Sequence, residues 1–172
     1  MNLSYKFILI NKKKFAHLFL LILISLGCSN NELKKCNTNI IPLPKEMIIE
    51  NGTFELNKSI SIEYDDLFNI EGEFLERILS DQFKLDTGQN GKVLSLKKMN
   101  NYIKEGYQLN VNRNDVLIEA STREGIFYGI QTLIQLMELN KYENDIELPT
   151  CKINDSPSFK HRGMLLDCCR HF

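Results

Sequence analysis

Arg170 and His171 carry side chains suited to gripping or protonating a ligand, and they directly follow the apolar run Met164-Leu165-Leu166-Asp167-Cys168-Cys169. A run that is apolar on both alternating faces, broken by one carboxylate, predicts a strand covered on both sides, as in a parallel sheet. In parallel barrels, side chains at the C-terminal ends of the strands face the mouth of the site, where Arg170 and His171 would sit. A planar guanidinium offers paired donors that match neighbouring oxygens. On the residues alone, an ordinary ion pair remains the alternative for Arg170. Asp167 is read as a buried polar contact or an orienting partner. His171 is read as structural because no acidic partner can be named for it, and His161 as a boundary residue.

The other chemistry-bearing types are less suggestive. Asp65-Asp66, Glu71-Gly72-Glu73, Asp81 and Asp86 flank or lie on a predicted amphipathic helix and are read as its solvated face. The cysteines stand at 28, 36, 151, 168 and 169, with no C-x-x-C spacing, which argues against a metal or dithiol site. Cys168 and Cys169, adjacent in a strand, point to opposite faces. They read as small buried apolar side chains, and a Cys36–Cys151 disulfide is the alternative in an oxidising compartment. No Gly-rich phosphate loop, nucleophile elbow or metal-binding helix occurs. No metal, no cofactor and no catalytic residue is therefore expected within the chain.

The elements that must position Arg170 begin after a leader. Residues 1–27 carry Lys6, Lys12, Lys13 and Lys14 and no acid, followed by the apolar stretch Phe15 to Leu26. This reads as a signal peptide; its core of about a dozen residues is short against the roughly 20 a spanning helix needs. Gly27-Cys28 resembles the lipobox of bacterial lipoproteins, with Ser25 where leucine is commoner. That resemblance implies lipidation at Cys28, a flexible tether over 28–39, and an envelope protein anchored to a membrane and facing the periplasm or the exterior. Plain secretion or an uncleaved anchor is the alternative. Removing residues 1–27 takes away four lysines, leaving 17 basic against 22 acidic residues. That balance argues against a nucleic-acid partner.

A first domain is expected over residues 40–154. Ile40 to Pro44 is a stiff extended lead-in. Met47 to Glu50, Gly52 to Leu56 and Ser59 to Tyr64 read as short strands, with Asn51-Gly52 as a hairpin turn. From about Asp66 a helical period sets in, with Ile70, Phe74 and Ile78 on one side, Leu75, Leu79 and Phe83 beside them, and Gly88 at its end. Val93 to Leu96, Gly106 to Val111 and Val116 to Ala120 read as strands, the last two forming an antiparallel hairpin. Ser121-Thr122-Arg123-Glu124 fits a capping box with Ser121 as cap. Ile126, Ile130, Leu133, Ile134 and Met137 then form a core face at helical spacing. Ile146 to Leu148 and Cys151 to Ile153 read as edge or linking strands, and Asp155-Ser156-Pro157-Ser158 marks a boundary.

Three stretches together carry a resemblance: Ile41-Pro42-Leu43-Pro44-Lys45; Glu105-Gly106-Tyr107-Gln108-Leu109 with Gly125 to Leu136; and Asp155 to Phe172. In this order they resemble glycoside hydrolase family 20, the β-N-acetylhexosaminidases, at the non-catalytic N-terminal domain and its junction with the catalytic barrel. His161 and Cys168-Cys169 depart from the family pattern without touching Arg170. The resemblance implies an α+β domain, an antiparallel-rich sheet with two amphipathic helices packed on one face. Residues 155–172 would then open the first strand of an incomplete (β/α)8 barrel. It further implies that Arg170 binds sugar hydroxyls of N-acetylhexosamine-containing glycans in a longer parent. Hydrolysis there would be retaining, with the substrate's acetamido oxygen as nucleophile. The Asp-Glu pair this needs would lie on a later strand, so the 172-residue chain is expected to be a C-terminally truncated, inactive piece. The alternative is a non-catalytic envelope module that binds glycan or protein. Oligomeric state is not legible.

Overall fold

A computed structural model describes residues 36–56, 59–88, 91–143 and 145–165. Among the described residues, seven strands form one mixed sheet: β1 (Glu46–Leu56), β2 (Ile60–Tyr64), β3 (Lys92–Lys98), β4 (Tyr107–Val111), β5 (Asp115–Ala120), β6 (Lys141–Tyr142) and β7 (Asp145–Asp155). The order is β1-β7-β4-β5-β3-β2, with β6 beside β7. Pairings β2–β3 and β3–β5 are parallel, and β1–β7, β4–β5, β4–β7 and β6–β7 are antiparallel. Helix α1 (Asn69–Asp81) connects β2 to β3, and α2 (Arg123–Leu139) follows β5.

Period-two alternation decides which side of the sheet is covered. Leu94 and Leu96 register with Val116 and Ile118, and these with Val111 and Leu109, which in turn face Cys151 and Ile153. All eight side chains are buried. On the opposite face the same strands present Ser95, Lys97, Glu119, Gln108, Asn110 and Lys152, none of them buried. Both helices lie on the apolar side: α1 brings Gly72 against the Tyr64 ring, and α2 brings Gly129 against Ile118 and Tyr107. Ile126, Ile130, Leu133, Ile134 and Met137 are buried, as their spacing predicts.

Four local expectations are corrected. Asn51-Gly52 does not turn a hairpin; β1 runs straight through it as an 11-residue strand. Its partner is the distant β7, and between Ile49↔Cys151 and Thr53↔Pro149 the register shifts. β1 spends two extra residues there, with Gly52 at φ 138° taking a conformation that suits a bulge. Pro149, lacking an N–H, sits at this irregularity, so the two segments read as separate edge strands are one 11-residue strand lying between β1 and β4.

Helix α1 is shorter than its period suggests. It ends at Asp81, and Lys84 at φ 57° turns the chain so that Phe83 and Leu85 enter the core from the loop. Ile70 lies on the outer rim, 63% exposed, while Leu75 and Leu79 carry the packing. The cap of α2 is Thr122 rather than Ser121: its hydroxyl accepts from the Gly125 amide at 3.3 Å. Ser121 instead donates to the Tyr102 carbonyl at 3.3 Å. Glu124 takes a different part from the expected one: its carboxylate accepts from its own amide and then from the Thr122 hydroxyl, and these bonds lower its pKa.

Candidate functional site

Arg170, Asp167 and His171, and the lipidation candidate Cys28, lie outside the described residues. Of the predicted terminal strand, Met164 and Leu165 are described; both are exposed and without regular structure. The described residues include the junction that precedes Arg170 in sequence.

There, segments far apart in sequence enclose a groove of about 230 Å³. Its walls come from the lead-in (Ile40, Pro42), α2 (Tyr128, Thr132, Gln135) and the residues after β7, including Arg162. The lead-in is held by side chains of distant elements, because a stretch without ladder partners must bond elsewhere. The Ile41 amide donates to Gln135 Oε1 at 3.1 Å, and the Asn37 amide to Asn140 Oδ1 at 2.7 Å. The Lys45 amide donates to Asp155 Oδ1 at 3.3 Å, and Lys45 Nζ to Ser156 Oγ at 2.7 Å. Beneath the groove, Tyr107 and Thr132 share a hydroxyl–hydroxyl bond of 2.6 Å. Burial pushes the Tyr107 phenol up to about 12, against the opposing pull of the Thr132 bond. This hydroxyl keeps its proton at neutral pH and serves the packing.

Arg162 closes the far side. It donates to the Glu105 carboxylate, to Tyr128 Oη at 3.1 Å and to the Phe159 carbonyl at 2.6 Å, and its guanidinium lies 5.8 Å from the Tyr128 ring centre. Lys45, Glu105, Tyr107, Tyr128, Gln135, Asp155 and Arg162 all fall within the stretches that carry the family resemblance. Sequence reasoning singled out none of them as site residues, since separations such as the 57 residues between Glu105 and Arg162 leave no local spacing to detect.

A second polar contact corrects the reading of Glu71 as solvated. Glu71 is 8% exposed. Arg123 Nε meets both its carboxylate oxygens, at 3.0 and 3.2 Å, and Arg123 Nη2 meets Oε1 at 3.0 Å. The fork ties the start of α1 to the start of α2. Arg123→Met should strand the carboxylate and cost about 2 kcal/mol, below the roughly 3–5 of a fully buried pair because the Arg123 side chain is 43% exposed. Adding Glu71→Met should return about half of that loss. A urea double-mutant cycle with no coupling between the two positions would refute the assignment.

Among the described residues, no three His, Cys, Asp or Glu side chains cluster as a metal site. Cys36 and Cys151 are not joined in a disulfide. Among the described residues, the three carboxylates at the groove and at the α1–α2 contact are each committed: Asp155 to the Lys45 amide, Glu71 to the Arg123 guanidinium and Glu105 to the Arg162 guanidinium. Chemically this is an assembly that anchors chain segments.

Residues 37–156 match the family described as Glycosyl hydrolase family 20, domain 2. A beta-hexosaminidase of Porphyromonas gingivalis is 31% identical over 154 residues, covering 78% of this chain and 19% of the relative. Beta-hexosaminidase subunit B1 of Dictyostelium discoideum is 31% identical over 173 residues, covering 87% of this chain and 29% of the relative. A family 20 exo-β-N-acetylglucosaminidase of Vibrio harveyi, solved in complex with N-acetylglucosamine, is 31% identical with a TM-score of 0.67. It aligns over 77% of this chain and 21% of that one. The chain therefore spans 19–29% of the length of these two curated relatives. With a match running from the lead-in to the end of β7 and a fold shared with a solved member, the chain belongs to glycosyl hydrolase family 20, through its domain 2.

Proposed function

We propose that this domain is the non-catalytic N-terminal module of a β-N-acetylhexosaminidase, and that it organises the junction from which a catalytic barrel begins. The observation that carries the reading is the convergence of lead-in, α2 and post-β7 segment on one groove, with its polar groups spent on holding the chain. Hydrolysis of terminal N-acetylglucosamine or N-acetylgalactosamine would proceed with retention, the substrate's acetamido oxygen acting as nucleophile. Arg170 would grip sugar hydroxyls with its paired donors. The Asp-Glu pair would come from a later barrel strand, which leaves the 172-residue chain without turnover of its own. Cys28 would carry the lipid that tethers the protein to the cell envelope. Residues 155–172 would open the first strand of that (β/α)8 barrel, directly after the antiparallel-rich sheet of the N-terminal module.

The test is to assay two proteins on a chromogenic N-acetyl-β-hexosaminide: the 172-residue chain, and the product of the reading frame followed beyond the codon for Phe172. Turnover by the longer product alone is expected. Turnover by the 172-residue chain would overturn the proposal, and so would a frame that stops at once in a chain that retains glycans without cutting them. Incorporation of labelled palmitate should vanish in Cys28→Ser; unchanged labelling would sink the anchor.

A further inference from the structure

Residues 158–165 are exposed throughout and have no regular structure. Among the described residues, the hydrogen bonds that tie this segment to the domain come from one side chain, Arg162. Just before it, Ser156 is buried and bonded to Lys45. One anchor at Ser156 is a pivot; a second at Arg162 turns the pivot into a direction. Arg162 is well suited to the task, since its fork reaches the carboxylate of Glu105 and the hydroxyl of Tyr128 while bonding back to the Phe159 carbonyl. The Glu105 bond, followed by that of Tyr128, raises the Arg162 pKa, so the clamp stays charged.

An independent sign comes from the backbone. Glu105 sits at φ 63°, a left-handed conformation that disfavours a side chain and that glycine would adopt freely. Gly106 follows, and its amide bonds the Ile103 carbonyl at 2.9 Å. The turn thus retains a carboxylate at a strained position, and the contact that carboxylate makes is with Arg162.

We infer that Arg162, held by Glu105 and Tyr128, is a positioning residue that sets the direction in which the chain leaves the domain. Its value to catalysis rests on the proposed function above, in which the chain continues into a sugar-binding strand. The clamp itself does not, and its test needs no hydrolase activity.

The experiment follows the rate at which a lysine-specific protease cuts after Lys160 in the 172-residue chain, alongside the thermal midpoint of the domain. Glu105→Gly removes the carboxylate and relieves the left-handed backbone. It is expected to raise cleavage about tenfold, as local opening permits, while leaving the midpoint unchanged or higher. Arg162→Gln should raise cleavage by a similar factor, and Glu105→Gln, which keeps an acceptor, by about threefold. A residue that merely stabilised the fold would lower the midpoint along with resistance at Lys160. Cleavage within about twofold of wild type in both Glu105→Gly and Arg162→Gln, or acceleration that only tracks a falling midpoint, would overturn the inference.

Discussion

Gly125→Ala is expected to destabilise the domain by about 3 kcal/mol, a large part of the roughly 5–15 that hold a domain together. A Cβ at this position would stand 2.4 Å from the Gly106 carbonyl oxygen and 2.8 Å from Ala120 Cβ. Neither is the movable end of a long side chain. Relief would require α2 to lift off the β4–β5 hairpin, opening the layer filled by Ile126, Ile130 and Leu133. The sign alone discriminates, because glycine to alanine inside a helix ordinarily gains about 0.5–1 kcal/mol. Gly163, with nothing within 4 Å of its virtual Cβ, is the control, and its alanine variant should unfold like wild type. Urea titration of both variants decides the matter; a Gly125→Ala midpoint at or above wild type would show that the helix-to-sheet contact is looser than described.

The second large effect is a loss of stability in alkali. Burial, with Glu50 adding to it, pushes the Cys151 thiol up to about 12 from its ordinary 9.0, and burial pushes the Tyr107 phenol up to about 12 from 10.0. In the unfolded chain both groups release their protons earlier. Above pH 9 the unfolded state therefore binds fewer protons than the folded state, and stability falls as pH rises. The slope is roughly 1.4 kcal/mol per pH unit from the thiol, about doubling once the phenol also titrates, and it continues towards pH 12. The fall begins as the unfolded thiol titrates, between about pH 8 and 9, and at pH 7 neither group contributes an appreciable slope. Urea unfolding under reducing conditions at pH 8, 9, 10 and 11 should trace this curve. Cys151→Ala should delay the onset to about pH 10, and an unchanged onset in that variant would remove the thiol from the explanation.

The groove at the junction places its strongest demands on residues that look unremarkable in sequence. Gln135 is one of several polar positions on α2 until its amide oxygen is seen to hold the Ile41 amide. Arg123 belongs to a capping sequence until it is seen to neutralise Glu71 across two helices. In both cases the partner is many residues away, and no periodicity records it.

What sequence determined by itself rests on short-range rules. The 3.6-residue recurrence of Ile126, Ile130, Leu133 and Met137 admits one element type and one buried face. The alternation through β4 and β5, with a polar turn between, likewise specified a hairpin and its inner side chains. Ordered stretches of residue types were enough to point to the family. Tertiary structure alone decided what depends on distant partners. Asn51-Gly52 became an irregularity inside β1 because β7 lay alongside to pair with it. Pro149 could stay in an interior strand because that same irregularity required no donor there. Glu71 turned inward because α2 delivered a guanidinium, and Glu105 kept a strained backbone beside Arg162. A local pattern lists the conformations a segment tolerates; the free energy that chooses among them comes from burial and hydrogen bonds made across the sheet.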